Sequence, residues 1–277
     1  MKQYIDLVQS ILDTGHYRQD RTGVGTLSTF GHVLQFDLRQ AFPIVSVKST
    51  NYKAAFAELE GFLTGVQSAA QFRDLGTKIW DANANDPGLP DSPNHWLTNP
   101  NRKGTDDLGR IYGAQWNDWR GPDGKRINQL QEMIYGLRNN PWSRRHLVSA
   151  WNPGELDRMA LPPCHYAFQC WRTEAELSMI VHMRSVDVFL GLPFNIVSYA
   201  ALMHWVAKQV GGLEPRRLVM TLGDTHLYVN HINGARKMLT RSPAPYSARL
   251  CPTGDQVSKW EIADYSPREA IHAPMAV

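Results

Sequence analysis

Between Ile196 and Val210 the residues Ile196, Val197, Tyr199, Ala200, Leu202, Met203, Val206 and Val210 recur at helical spacing, and Gly211-Gly212 ends the run. A helix this apolar belongs in a core, so the chain has to supply layers that enclose it. A second pattern, Tyr52, Ala55, Phe56, Leu59, Phe62 and Leu63, predicts an amphipathic helix over about 51–64 that stops at Gly65, with Glu58 at the margin of its apolar stripe. Leu177, Met179, Val181 and Met183 alternate with Ser178, Ile180 and His182, a strand pattern whose end delivers Arg184. Leu27–Leu38, His146–Trp151 and Arg217–Leu222 read as further strands. These elements interleave without a regular βαβ rhythm. The expected class is therefore α+β, a mixed and largely antiparallel sheet packed with long helices.

With 277 residues, 43% of them apolar, one domain over 1–277 is the default organisation. Residues 81–109 are crowded with Asn, Asp, Pro and Gly and have no period, so they read as a loop-rich excursion. No window approaches the roughly 20 apolar residues of a membrane span, and the first residues lack a signal-peptide run; a cytoplasmic protein is expected. Cys164, Cys170 and Cys251 are too few and too irregular for a disulfide framework, no CxxC pair suggests a zinc site, and no metal is expected. The net charge of +3 comes without a dense basic block, which suits a small anionic substrate better than a stable nucleic-acid partner. GxGxxG and Walker patterns are missing as well.

Chemistry concentrates in a few places. Leu161-Pro162-Pro163-Cys164-His165 holds a thiol in a loop stiffened by two prolines, a nucleophile if cations favour its thiolate and an inert buried cysteine otherwise. Ser143-Arg144-Arg145, Arg184-Ser185 and Asp20-Arg21-Thr22-Gly23 each pair arginine with a hydroxyl or a turn glycine. Singly these read as surface ion pairs; together they point to a phosphomonoester gripped by forked hydrogen bonds.

PPCHYAFQ, RSVDVFLGLPFNIVSYA, LGDTHLYVNH, DRTGVGT and the terminal APMAV together resemble the folate-dependent thymidylate synthase family, from about residue 3 to Val277. The resemblance implies that Cys164 adds to C6 of a uracil ring so that C5 attacks the methylene of 5,10-methylenetetrahydrofolate. It implies that Arg21, Arg184, Ser185 and Asp187 belong to the nucleotide site, and that Arg144 and Arg145 reach that site from the other subunit of a homodimer built on a sheet face. Asn195 would read uracil by donating to O4 and accepting from N3–H, favouring dUMP; on local grounds it equally caps a helix starting at Ile196. His226 and Tyr228 match contacts to the deoxyribose hydroxyl. Glu58, with Tyr112, His165 and water, matches the proton relay, and burial would raise its pKa. Asp187 and Arg184 join the catalytic group. Ile79, Trp80, Asn83, Asp187, Leu190, Gly191, Phe194 and Val277 match the folate surface, and Lys48 stands where a lysine approaches the folate's glutamate tail.

Three departures stand out: Glu60-Gly61 replace Leu-Trp, Met183 replaces a glutamine before Arg-Ser, and Cys170 replaces an aromatic residue. Phage deoxynucleotide hydroxymethylases of this chemistry can carry methionine at that point. The resemblance thus leaves two products open, dTMP with dihydrofolate, or 5-hydroxymethyl-dUMP with tetrahydrofolate. A catalytically silent nucleotide- or RNA-binding homologue is a third reading, and the joint presence of Cys164, Glu58, Asn195 and Tyr228 argues against it.

Overall fold

The computed structural model describes residues 1–85 and 96–275. Helix α1 (Lys2–Thr14) leads into strands β1 (His16–Arg18) and β2 (Thr26–Asp37), followed by helices α2 (Tyr52–Leu63), α3 (Ala69–Leu75), α4 (Asp81–Asn85) and α5 (Tyr112–Asn117). A small hairpin of β3 (Trp119–Arg120) and β4 (Arg126–Ile127) precedes α6 (Gln129–Asn139). Strands β5 (Leu147–Ser149), β6 (His165–Arg172) and β7 (Glu176–Asp187) come next, then α7 (Gly191–Val210), β8 (Glu214–Tyr228) and α8 (Ile232–Leu239). A second hairpin, β9 (Arg249–Cys251) with β10 (Glu261–Ala263), follows.

The main sheet has six strands in the order β1-β2-β8-β7-β6-β5. Its pairs are antiparallel except β7 with β8, which run parallel because α7 carries the chain back between them. The fold is α+β, as the sequence predicts. On β7 the residues Leu177, Met179, Val181 and Met183 point inward, and on β8 Leu218, Met220 and Leu222 do the same. Helix α7 covers this face, burying Ile196, Val197, Tyr199, Ala200, Leu202, Met203 and Val206, and α2 packs against α7.

Two expectations about these helices need correction. Helix α7 begins at Gly191 rather than Ile196, so Asn195 sits inside its first turns and is no cap. Pro193 permits this, since a proline near a helix start loses an N–H that has no intrahelical partner there. Helix α2 is not amphipathic in place: Ala55 through Phe62 are all buried, Glu58 and Glu60 among them. Asn51 caps it, accepting from the Ala54 N–H at 3.2 Å.

The buried Glu60 receives the Val257 N–H at 2.6 Å, and Gly61 lies against the ring of Phe72. These contacts account for the Glu60-Gly61 departure: the carboxylate holds a turn of the 257–259 segment, and the missing side chain makes room for an aromatic from α3. Cys170 is buried on β6 and its thiol is pushed up to about 12, an inert packing residue.

The 81–109 excursion is more structured than its composition suggests in the parts described. Arg73 on α3 binds both Asp81 at 2.8 Å and Asp106 at 2.7 Å, and Arg102 donates to the Ala84 carbonyl at 3.1 Å. These ties hold α4 beside α3. No helix among the described residues is long and apolar enough to cross a membrane.

A Cβ built on Gly61 overlaps the buried Phe72 ring. Gly61→Ala should therefore destabilise the fold by about 1–3 kcal/mol, read as a lowered urea midpoint at unchanged slope. A midpoint equal to that of the parent would show that the ring has room to move.

Candidate active site

Proline fixes the approach to Cys164, and arginine holds it there. Arg184, the residue that β7 delivers, donates from Nε to the Pro163 carbonyl at 2.9 Å and from Nη2 to the Pro162 carbonyl at 2.8 Å. Its backbone N–H meets the Cys164 carbonyl at 2.9 Å, and its guanidinium stands 5.3 Å from the Trp151 ring. The Cys164 N–H donates to the Tyr112 hydroxyl at 2.7 Å. The loop is thereby pinned from both sides.

Burial pushes the Cys164 thiol up, while Arg184, Arg21, Ser185 and Tyr112 all pull it down. The arginines act in the direction the sequence suggests, but desolvation outweighs them. Arg21 reaches the thiol's surroundings from the 20–25 turn. There Asp20 accepts the Gly25 N–H at 2.8 Å and the Thr22 N–H at 3.0 Å, and Gly25 has a positive φ of 81°. The Val229 N–H donates to the Gly25 carbonyl at 3.0 Å, tying this turn to the end of β8.

An acid–base group lies on the inner side. His165 stacks on Tyr112 with centroids 4.2 Å apart, and its Nδ1 is 2.7 Å from the Tyr199 hydroxyl. Burial takes the His165 pKa down to about 3, so the ring is neutral. Glu58 accepts from the Trp80 indole N–H at 3.0 Å, and burial raises it to about 7 against that hydrogen bond. Phe62 touches the rings of Tyr112, Trp80 and His165, closing an apolar wall around the carboxyl. In the sequence Tyr199 is only one member of an apolar stripe; its hydroxyl contact to His165 carries no sequence signal of its own.

The parallel register sets the other side. Ser185 pairs with Asp224 and Asp187 with His226. Asp224 accepts from Ser28 at 2.9 Å and lies 3.1 Å from His226 Nδ1, an orienting contact the sequence did not reveal. The His226 and Tyr228 rings meet edge to face at 5.3 Å. Tyr228 is pushed up to about 12, chiefly by burial and then by the Asp187 and Asp20 carboxylates, which places it between the two motifs.

Asp187 turns the chain into α7 by accepting the Phe189 N–H at 2.9 Å and the Leu190 N–H at 3.2 Å. A Cβ on Gly191 would lie 3.5 Å from the Asp187 Cβ and 3.9 Å from the Asn195 amide oxygen, so these three residues adjoin. Leu190, Gly191, Phe194, Asn195, Ile79 and Asn83 are all half-buried, while Trp80 is buried. Lys48 is buried with Nζ 4.9 Å from the Phe189 ring centroid; desolvation lowers it to about 8 and the Asp187 carboxylate opposes the fall.

Not every predicted residue joins this group. Arg144 and Arg145 are exposed on the loop before β5. Gln169 donates to the Arg144 carbonyl at 3.2 Å, and Arg145 lines a separate cavity of about 380 Å³ with Glu132, Met133, Gly136 and His146. Val277 lies outside the described residues. Among the described residues no cluster of three or more His, Cys, Asp or Glu side chains could hold a metal ion.

Glu58 supplies a test that needs no substrate. Its folded pKa lies above the ordinary 4.5, so the folded state binds the proton more tightly and stability falls as pH rises from about 4.5 to about 7. Replacing the carboxyl by an amide removes this loss. Glu58→Gln should therefore gain on the parent by an amount on the order of 3 kcal/mol between pH 4 and pH 8, measured by urea unfolding at each pH. A difference independent of pH would mean the carboxyl is not raised.

The site thus joins a stiffened thiol, neighbouring arginines, a raised carboxyl, a neutral histidine and a half-buried ledge at the start of α7. The motifs contributing to it span most of the chain, and the family model for thymidylate synthase matches residues 2–277. That family carries out folate-dependent transfer of a one-carbon unit to dUMP, with methylenetetrahydrofolate as the carbon donor. A match of this length, over a fold and a site of this kind, means that the chain belongs to the thymidylate synthase family.

Proposed function

We propose that this protein transfers the methylene of 5,10-methylenetetrahydrofolate to C5 of dUMP through a covalent Cys164 adduct and releases dTMP and dihydrofolate. The observation that carries the reading is the setting of Cys164, a thiol flanked by Arg184 and Arg21 and backed by Tyr112 and His165. Arg21, Arg184 and Ser185 bind the 5′-phosphate, whose charge suits forked guanidinium donors. Asn195 reads the uracil edge, and His226 and Tyr228 hold the deoxyribose hydroxyl.

Attack at C6 begins from a thiol that burial keeps protonated, so the reaction needs groups to manage protons nearby. Glu58, poised at about 7, exchanges protons near neutrality. Tyr112 accepts from the Cys164 N–H, which leaves its own O–H free to donate, and neutral His165 completes the relay with water. The folate lies along Ile79, Trp80, Asn83, Asp187, Leu190, Gly191 and Phe194, with Lys48 towards its glutamate tail and Val277 closing over it. Reduction of the transferred methylene by folate hydride then depends on keeping water out.

One observation favours a second reading. Met183 is buried and pairs across the strand with His165, so an apolar thioether stands opposite that histidine where the family usually carries a glutamine amide. That change supports a deoxyuridylate hydroxymethylase, in which water captures the methylene and the products are 5-hydroxymethyl-dUMP and tetrahydrofolate.

The working unit in this reading is a homodimer of one-domain chains in the cytoplasm. The outer sheet face supports it: Phe30 is 83% exposed, and Trp171 and Val33 are 57% and 54% exposed. Pairing along that face would carry Arg144 and Arg145 into the other subunit's phosphate site.

Incubation with dUMP and methylenetetrahydrofolate, with chromatographic resolution of the nucleotide, should give dTMP with stoichiometric dihydrofolate. Formation of 5-hydroxymethyl-dUMP without dihydrofolate selects the second reading. Cys164→Ser should lower turnover by about 10⁴-fold or more while dUMP binding, followed by calorimetry, changes little. Retained turnover would remove the nucleophile from the scheme.

A further inference from the structure

Residues 268–274 run as a strap beside the folate end of the site. The Arg268 N–H donates to the Ser46 carbonyl at 2.8 Å, and Arg241 donates to the Glu269 carbonyl at 2.6 Å. Ile271 reaches the space over Gly234, where it meets Phe189, the same ring that faces Lys48. The last anchor is His231, which lies at the junction of β8 and α8 and has no exposed surface. Its Nε2 is 2.7 Å from the Pro274 carbonyl oxygen.

A carbonyl can only accept, so His231 Nε2 carries a proton and donates it. The other nitrogen, Nδ1, is buried without a hydrogen-bond partner and stands 4.0 Å from the Asp187 carboxylate. The ring is held edge to face by Tyr228 and tilted by Phe189, each at 5.5 Å, so it cannot turn away from either neighbour. One imidazole therefore touches the strap with one nitrogen and faces, with the other, the carboxylate that shapes the 187–191 turn.

We propose that His231 is a positioning residue coupling the Pro274 strap to Asp187, so that the strap's placement is transmitted to the folate ledge at Leu190, Gly191 and Phe194. The proposal rests on the functional reading given above. It predicts a selective effect: losing the two ring nitrogens while keeping a ring disturbs folate binding and spares the nucleotide, because the edge contact to Tyr228 survives and the phosphate grip at Arg21 and Arg184 lies on other elements.

His231→Phe keeps the ring and removes both nitrogens. It should raise KM for methylenetetrahydrofolate about tenfold while KM for dUMP stays within about twofold. His231→Gln, whose amide N–H can replace the donor to Pro274, should recover most of the loss. Pro274→Gly, which loosens the strap and leaves Val277 in place, should reproduce the folate defect, and His231→Phe should add little to it in the double variant. Multiplying effects in that double variant, an equal rise in both KM values, or no better behaviour of Gln than of Phe would each overturn the proposal. A measurement independent of turnover separates this from the functional reading. Tryptic cleavage after Arg268 in the ligand-free protein should quicken in His231→Phe and stay at the parent rate in His231→Gln; unchanged cleavage in His231→Phe would also overturn it.

Discussion

The parallel pairing of β7 with β8 is the constraint on which this molecule depends. It follows from α7, a 20-residue helix too apolar to stand in water, which covers the sheet as it carries the chain from one strand to the next. Antiparallel neighbours would have put Arg184-Ser185 and Asp224-Thr225-His226 at opposite ends of the sheet. The parallel register puts them side by side, opposite the 20–25 turn that β8 also anchors. Because α7 starts directly from this end, Gly191 and Asn195 arrive at the same place. One topological choice thus gathers residues that are otherwise far apart in the chain.

The second governing effect is loss of water. Burial raises Cys164 and Glu58, lowers His165 and Lys48, and in each case favours the neutral form. A charge-poor interior of this kind keeps a carboxyl able to exchange protons near neutrality and keeps an imidazole from becoming a cation. It also explains why cations gather around the thiol. Without Arg184 and Arg21 the same desolvation would raise Cys164 further, as it does Cys170, where no cation opposes it.

The departures in the sequence are of different kinds. Glu60-Gly61 are a packing solution, a carboxylate satisfied by the Val257 N–H and a glycine that admits Phe72. Cys170 is a buried neighbour on a strand that also presents His165. Met183 alone pairs with His165, and its side chain belongs to the core that β7 presents to α7.

The sequence by itself determined the elements and the cast of residues. Periodicity located α2, α7 and parts of β7 and β8, which run on to Asp187 and Tyr228, because side-chain pattern and backbone period are the same physics. The motifs around Cys164, Arg184, Asn195 and His226 supplied the candidate site, since the chemistry of a thiol, a guanidinium and an amide does not depend on distance along the chain. Tertiary structure decided the environment. A helical stripe left Glu58 at its margin, and only the packing of α2 under Phe62 and Trp80 buried it enough to reach about 7. Local rules began α7 at Ile196, whereas the Asp187 carboxylate and Pro193 together allow it to begin at Gly191. The arginines near Cys164 were legible, but not that desolvation would outweigh them. The hydroxyl contact of Tyr199 to His165 and the contact of His231 to Pro274 were invisible because each joins segments distant in the chain. Composition and spacing record what a side chain is; which water it loses and which partner it gains are set by the fold.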